Sequence, residues 1–60
     1  MALLDIYWVA DGDFQADFDD ATFVFRVHPR RVNLVEFWPR DAETRAKARD
    51  ALAAVIISGI

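Results

Sequence analysis

Sixty residues, a net charge of −3 and a pI of about 4.7 describe one small acidic domain, residues 1–60. A chain this short buries only about 60% of the surface its unfolded form exposes, so it needs a dense core or an associated subunit. The absence of cysteine and the presence of a single histidine, His28, exclude the disulfide and zinc staples of many mini-proteins, while 55% hydrophobic residues, with two Trp, five Phe and one Tyr, exclude disorder.

Charge is unevenly placed. Residues 1–25 contain six aspartates (Asp5, Asp11, Asp13, Asp17, Asp19 and Asp20) and no Lys or Arg, whereas residues 26–60 hold all seven basic residues against four acids. An asymmetry of this kind reports an electrostatic partner. Asp5 interrupts the apolar start "MALLDIYWVA", which lacks the basic beginning of a signal peptide, and the run "ALAAVIISGI" is half the length of a membrane span. A cytoplasmic protein with no membrane contact is expected.

Taken in chain order, "LLDIYWVA" is rich in strand-forming residues, "DGD" signals a turn, and "FQADFD" alternates, with Phe14, Ala16 and Phe18 on one side and Gln15, Asp17 and Asp19 on the other. These make a hairpin. A two-residue Asp11-Gly12 turn mixes apolar and charged residues on each face, whereas a three-residue loop over 11–13 aligns Ala10 with Phe14, Trp8 with Ala16 and Ile6 with Phe18. The second register is expected, because a slip of one residue reverses every side chain. It sets Asp5 opposite Asp19.

"ATFVFRV" and "RVNLVEFW" form a second hairpin about His28-Pro29-Arg30-Arg31, where proline fixes φ and removes a donor that the turn does not use. Pairing Val27 with Val32 brings Phe25 to Leu34 and Phe23 to Glu36, and leaves Thr22, Val24, Arg26, Asn33, Val35 and Phe37 on the other face. From Asp41, a capping residue, alanines at 42, 46, 48, 51, 53 and 54 favour helix, and Ser58-Gly59 ends it. The predicted fold class is α+β: a four-stranded antiparallel β-meander followed by one C-terminal α-helix packed on the sheet. Because "ALAAVII" is apolar all round, its end is expected to be buried or to lie in a dimer contact.

Catalysis has little to work with. The only serine is Ser58, near the terminus, and His28 lies at a turn with no nucleophile beside it. "DGDFQADFDD" fails the calcium-loop pattern, since counting from Asp11 puts Gln15 at position 5, Ala16 at 6 and Thr22 at 12. A weak Ca²⁺ or Mg²⁺ site from Asp5, Asp17 and Asp19 is the remaining metal option; no cofactor is expected. Arg26, Arg30, Arg31 and Arg40, with Phe37 and Trp38, form a basic and aromatic group, but the low pI runs against direct nucleic-acid binding.

"FRVHPRRVNLVEFW" resembles a segment of the pyridoxamine-phosphate-oxidase-type flavin-binding split barrels, through Arg26, Val27, Pro29, Glu36, Phe37 and Trp38. The gap from Pro29 to Trp38 is longer than in that family and the chain is too short for the barrel, so no flavin site is carried over. In size, acidity and lack of catalytic groups the chain resembles, as a class, the small phage-encoded anti-defence inhibitors, including anti-CRISPR proteins. That class has no shared motif, so it assigns no residue.

Aspartate is a poor strand residue, and like charges facing each other destabilise a ladder. A dense anionic ribbon in so small a fold therefore suggests an external cationic surface. The expectation is a non-enzymatic binding or inhibitor protein of DNA-mimic type. It docks Asp5, Asp11, Asp13, Asp17, Asp19 and Asp20, with Tyr7 as an aromatic anchor, on the basic surface of a larger nucleic-acid-handling protein. Reversing Asp17 and Asp19 to Lys is expected to abolish docking and leave folding intact. The alternative is a structural homodimer or small subunit associating through Phe37, Trp38, Leu52, Val55 and Ile56.

Overall fold

The computed structural model describes residues 1–59. Four antiparallel strands, β1 (Leu3–Ala10), β2 (Asp13–Phe18), β3 (Thr22–His28) and β4 (Arg31–Trp38), form one sheet in the order β1-β2-β3-β4, followed by helices α1 (Ala42–Ala46) and α2 (Ala48–Ser58). This is the expected α+β meander, with β1 and β4 as its two edges.

The core lies between one face of the sheet and α2. Strict alternation in β2 sends Phe14, Ala16 and Phe18 inward, β3 adds Phe23 and Phe25, and α2 contributes Ala51 and Val55, four residues apart on one helix face. The phenylalanines form a continuous series: Phe14 to Phe25 at 5.4 Å between ring centroids, Phe25 stacked on Phe23 at 6.1 Å, and Phe23 edge-on to Phe18 at 5.8 Å. Such pairs add roughly 0.5–1.5 kcal/mol each beyond their burial.

The first hairpin corrects the expected register. Ala10 pairs with Asp13 across a two-residue Asp11-Gly12 turn, and Gly12 supplies the left-handed φ of 79°. An irregularity at Val9 then shifts the ladder, so that Trp8 meets Phe14, Tyr7 meets Gln15, Ile6 meets Ala16 and Asp5 meets Asp17 rather than Asp19. The bulge does what the longer loop was expected to do. By adding one residue to β1 it returns the apolar side chains to the core face behind a tight turn.

In the second hairpin Val27 pairs with Val32 and Phe25 with Leu34 as expected, but the ladder shifts between Val24 and Phe25. Val35 is the extra residue. Phe23 consequently faces Phe37, not Glu36; Phe37 packs against the core, and Glu36 moves to the other face beside Val24. The expected second face carrying Val24, Val35 and Phe37 together therefore does not form. Burial of Phe37 against Phe23 explains the preference, since the regular register would bury a carboxylate in its place.

The single expected helix is two. Asp41 caps α1 by accepting from the Thr44 amide at 2.7 Å, and Gly59 ends α2 in the left-handed conformation at φ 76°. Between them Lys47 closes a tight turn, its amide donating to the Thr44 carbonyl at 3.0 Å in the three-residue spacing of a 3₁₀ turn. Its ammonium reaches Asp20 at 3.2 Å, tying the break to the β2–β3 turn.

Candidate functional site

Only one face of the sheet carries the helices. The other is crossed by rows of register partners: Asp5, Asp17, Thr22 and Trp38; then Tyr7, Gln15, Val24 and Glu36; then Ala10, Asp13, Arg26 and Asn33. Alternation fixes this set in β2 and β3, whose intervening Phe14, Ala16, Phe23 and Phe25 are drawn into the core, while in β1 and β4 the extra residues Val9 and Val35 set which side chains join it.

Asp17 is the hub of that face. It accepts from the Gln15 amide at 2.8 Å, from the Thr22 hydroxyl at 3.2 Å and from the Tyr7 hydroxyl at 3.2 Å. Desolvation of the Tyr7 phenol, its bond to Asp17 and the charges of Asp17 and Asp5 all favour the neutral form and push it above its ordinary value. Asp5 lies across the ladder from Asp17, and one of its oxygens accepts from the Ile6 amide at 2.9 Å.

The fold compensates part of the acidic half from within. Arg26 donates to both oxygens of Asp13, at 2.9 and 3.2 Å, holding that carboxyl below its ordinary value and raising the guanidinium in turn. Lys47 pairs with Asp20, which raises the ammonium. Asp19 is held low chiefly by the Ala2 amide, which donates to it at 2.9 Å, and also by the N-terminal charge. Among the described residues, Asp5, Asp11, Asp17 and Asp19 form no ion pair with Lys or Arg.

The six aspartates thus fall into three places. Asp11 and Asp13 sit at the β1–β2 tip, Asp5 and Asp17 on the open face, and Asp19 and Asp20 at the β2–β3 turn. The six residues of β2 separate the two ends by roughly 20 Å at about 3.3 Å per residue. Asp5, Asp17 and Asp19 do not converge, and among the described residues no group of three His, Cys, Asp or Glu is placed to hold a metal ion.

Of the residues expected to self-associate, Val55 is 1% exposed and belongs to the core, and Phe37 and Leu52 pack against it. Trp38 (68% exposed) and Ile56 (67%) are free at the surface, with Ile57 at 85%. Trp38 stands on the open face with Glu36 and Arg40, which pair with each other. None of these three ion pairs follows from spacing: Glu36–Arg40 needs the chain to turn back after Trp38 at the end of β4, and Asp13–Arg26 and Asp20–Lys47 need the β2–β3 register and the helix position.

Compared with protein-family models, curated proteins and solved structures, the chain matches none. Among the described residues no helix is long and apolar enough to cross a membrane.

Proposed function

We propose that the chain is a non-enzymatic binding protein that docks its acidic β1–β2 ribbon on a basic, nucleic-acid-binding surface of a larger protein. One observation carries this reading. Asp5 and Asp17 face each other on the uncovered face of the sheet with no Lys or Arg pairing to either among the described residues, between further carboxylates at both ends of the ribbon. A row of anions of that length presents to a basic groove what a nucleic-acid backbone presents, and electrostatic attraction would speed its capture. Exposed Tyr7 and Trp38 on the same face supply aromatic anchors. The chain would act in the cytoplasm, and in the host cytoplasm if phage-encoded. An inhibitor of anti-CRISPR or DNA-mimic type is the form of the reading to be tested.

Asp17 and Asp19 are poor choices for the charge reversal expected from sequence, since one organises three side chains and the other holds the Ala2 amide. Asp5 and Asp11 are cleaner, since the one bond of the Asp5 side chain is to the amide of the next residue and ties no second segment to β1. The Asp5→Lys/Asp11→Lys double variant should fold as the parent does but lose capture of a nucleic-acid-binding protein that the parent takes up at low salt and releases at high salt or to added DNA. Capture unchanged by the reversal rejects the reading.

The exposure of Ile56 and Ile57 favours a second reading, a homodimer through the end of α2. Sedimentation separates the two: a tight dimer indifferent to salt, dissociated by Ile56→Asp/Ile57→Asp, supports the second.

A further inference from the structure

The free edge of β1 is where the partner's backbone engages: we infer that it receives an extended segment alternating basic and apolar residues, added antiparallel as a fifth strand. This inference rests on the acidic-ribbon reading and says how that ribbon is recognised.

β1 is an edge strand, and its outer side is exposed for most of its length; Trp8, though edge-on to Phe14 at 5.8 Å, is 59% exposed. Two irregularities, at Leu4 and Val9, bracket a regular stretch from Asp5 to Trp8. Within it the Ile6 amide donates to its neighbour's carboxylate, so it points away from β2. By the alternation of an antiparallel ladder the Trp8 amide shares that outward direction, while Asp5 and Tyr7 turn their backbone groups to β2. The Asp5 oxygen thus stands where the carbonyl of an added strand would sit. On docking, that carbonyl takes the Ile6 amide and frees Asp5 to meet a cation.

Side chains set the sequence of the incoming strand. Residues opposite Ile6 and Trp8 lie on the helix face, beside the exposed Trp8 ring, and are apolar. Residues opposite Asp5 and Tyr7 lie on the open face, where among the described residues Asp5 and Asp17 pair with no Lys or Arg, and are Lys or Arg. Charge decides against a second copy of this chain. A two-fold β1–β1 pairing over the regular stretch would bring Asp5 and Asp17 of both copies onto one face with no basic side chain from β1 or β2 between them.

The test uses the intact protein and short peptides. One alternates arginine and valine, a second groups the same residues into an arginine block and a valine block, and two versions of the first are N-methylated on either the valine or the arginine amides. Titration followed by backbone NMR should show the alternating peptide binding at least about tenfold more tightly than the blocked one, with the Ile6 and Trp8 amides shifting most. Methylation of the valine amides, which face Ile6 and Trp8, should abolish that advantage, and methylation of the arginine amides should not. Equal binding of alternating and blocked peptides, insensitive to methylation, overturns the edge inference yet leaves charge-driven docking standing. Absence of binding by the alternating peptide overturns it too. A concentration-dependent dimer protecting the Ile6 and Trp8 amides without peptide assigns the edge to a second copy and likewise overturns it.

Discussion

Arg26 and Asp13 are direct partners across the β2–β3 ladder and meet through two parallel hydrogen bonds, so the basic half of the chain reaches back to neutralise the acidic half at one point. Lys47 does the same for Asp20 from the break between the helices. These pairs limit the proposed docking surface to carboxylates that the fold leaves uncompensated, and they make specific demands on stability.

Acid should unfold the protein through a small set of carboxyls. Asp13, Asp19 and Asp41 are all held below the ordinary value of 3.8, by Arg26, the Ala2 amide and the Thr44 amide respectively. A carboxyl whose folded value is lowered contributes stability above its unfolded value and loses it as pH falls through the lower, folded one. Circular dichroism should therefore show stability level near neutrality and falling below about pH 4, with a shallower fall in the Asp13→Asn/Asp41→Asn variant. An unchanged acid limb in that variant would contradict the assignment.

Replacing Asp17 by Ala should lower stability by about 1–2 kcal/mol, because the Gln15, Thr22 and Tyr7 donors lose their common acceptor on a part-buried face. Tyr7 gives an independent readout. Its phenol is raised in the folded protein, so the associated stability is present below the ordinary value of 10.0 and is lost as pH rises through the higher folded one. Spectrophotometric titration should place the parent's phenolate transition above 10 and the variant's closer to it.

Truncation of Phe23 to Ala should be close to the limit of what the fold tolerates. The side chain is 0% exposed and joins Phe18 to Phe25. Its loss should cost about 3–5 kcal/mol, against a total of roughly 3–9 kcal/mol for 60 residues at about 0.05–0.15 kcal/mol each. Thermal melting should show a largely unfolded chain; a cooperative transition with little shift would mean that the core lies elsewhere.

Gly12→Ala isolates backbone strain from crowding. A Cβ there would meet the Val27 carbonyl at an ordinary 3.8 Å, so any cost comes from φ 79°. A loss of about 1–2 kcal/mol in urea unfolding is expected, and Gly12→Asn, which tolerates that region better, should lose less.

Periodicity and turn chemistry were enough to give the four strands, their meander order, the Asp41 cap, the Gly59 stop and the inward set Phe14, Ala16, Phe18, because each follows from local backbone preference or from hydrophobic alternation. Sequence also located the acidic half. It misplaced Asp5 against Asp19 and Phe37 on the outer face, since an inserted residue changes register without changing composition. Whether Val9 and Val35 bulge depends on how well Phe14, Phe23 and Phe37 fill the space against α2. Which aspartates are neutralised was likewise decided by the tertiary fold: Arg26 lies 13 residues from Asp13 and Lys47 lies 27 from Asp20, so only strand pairing and helix placement bring the opposite charges together.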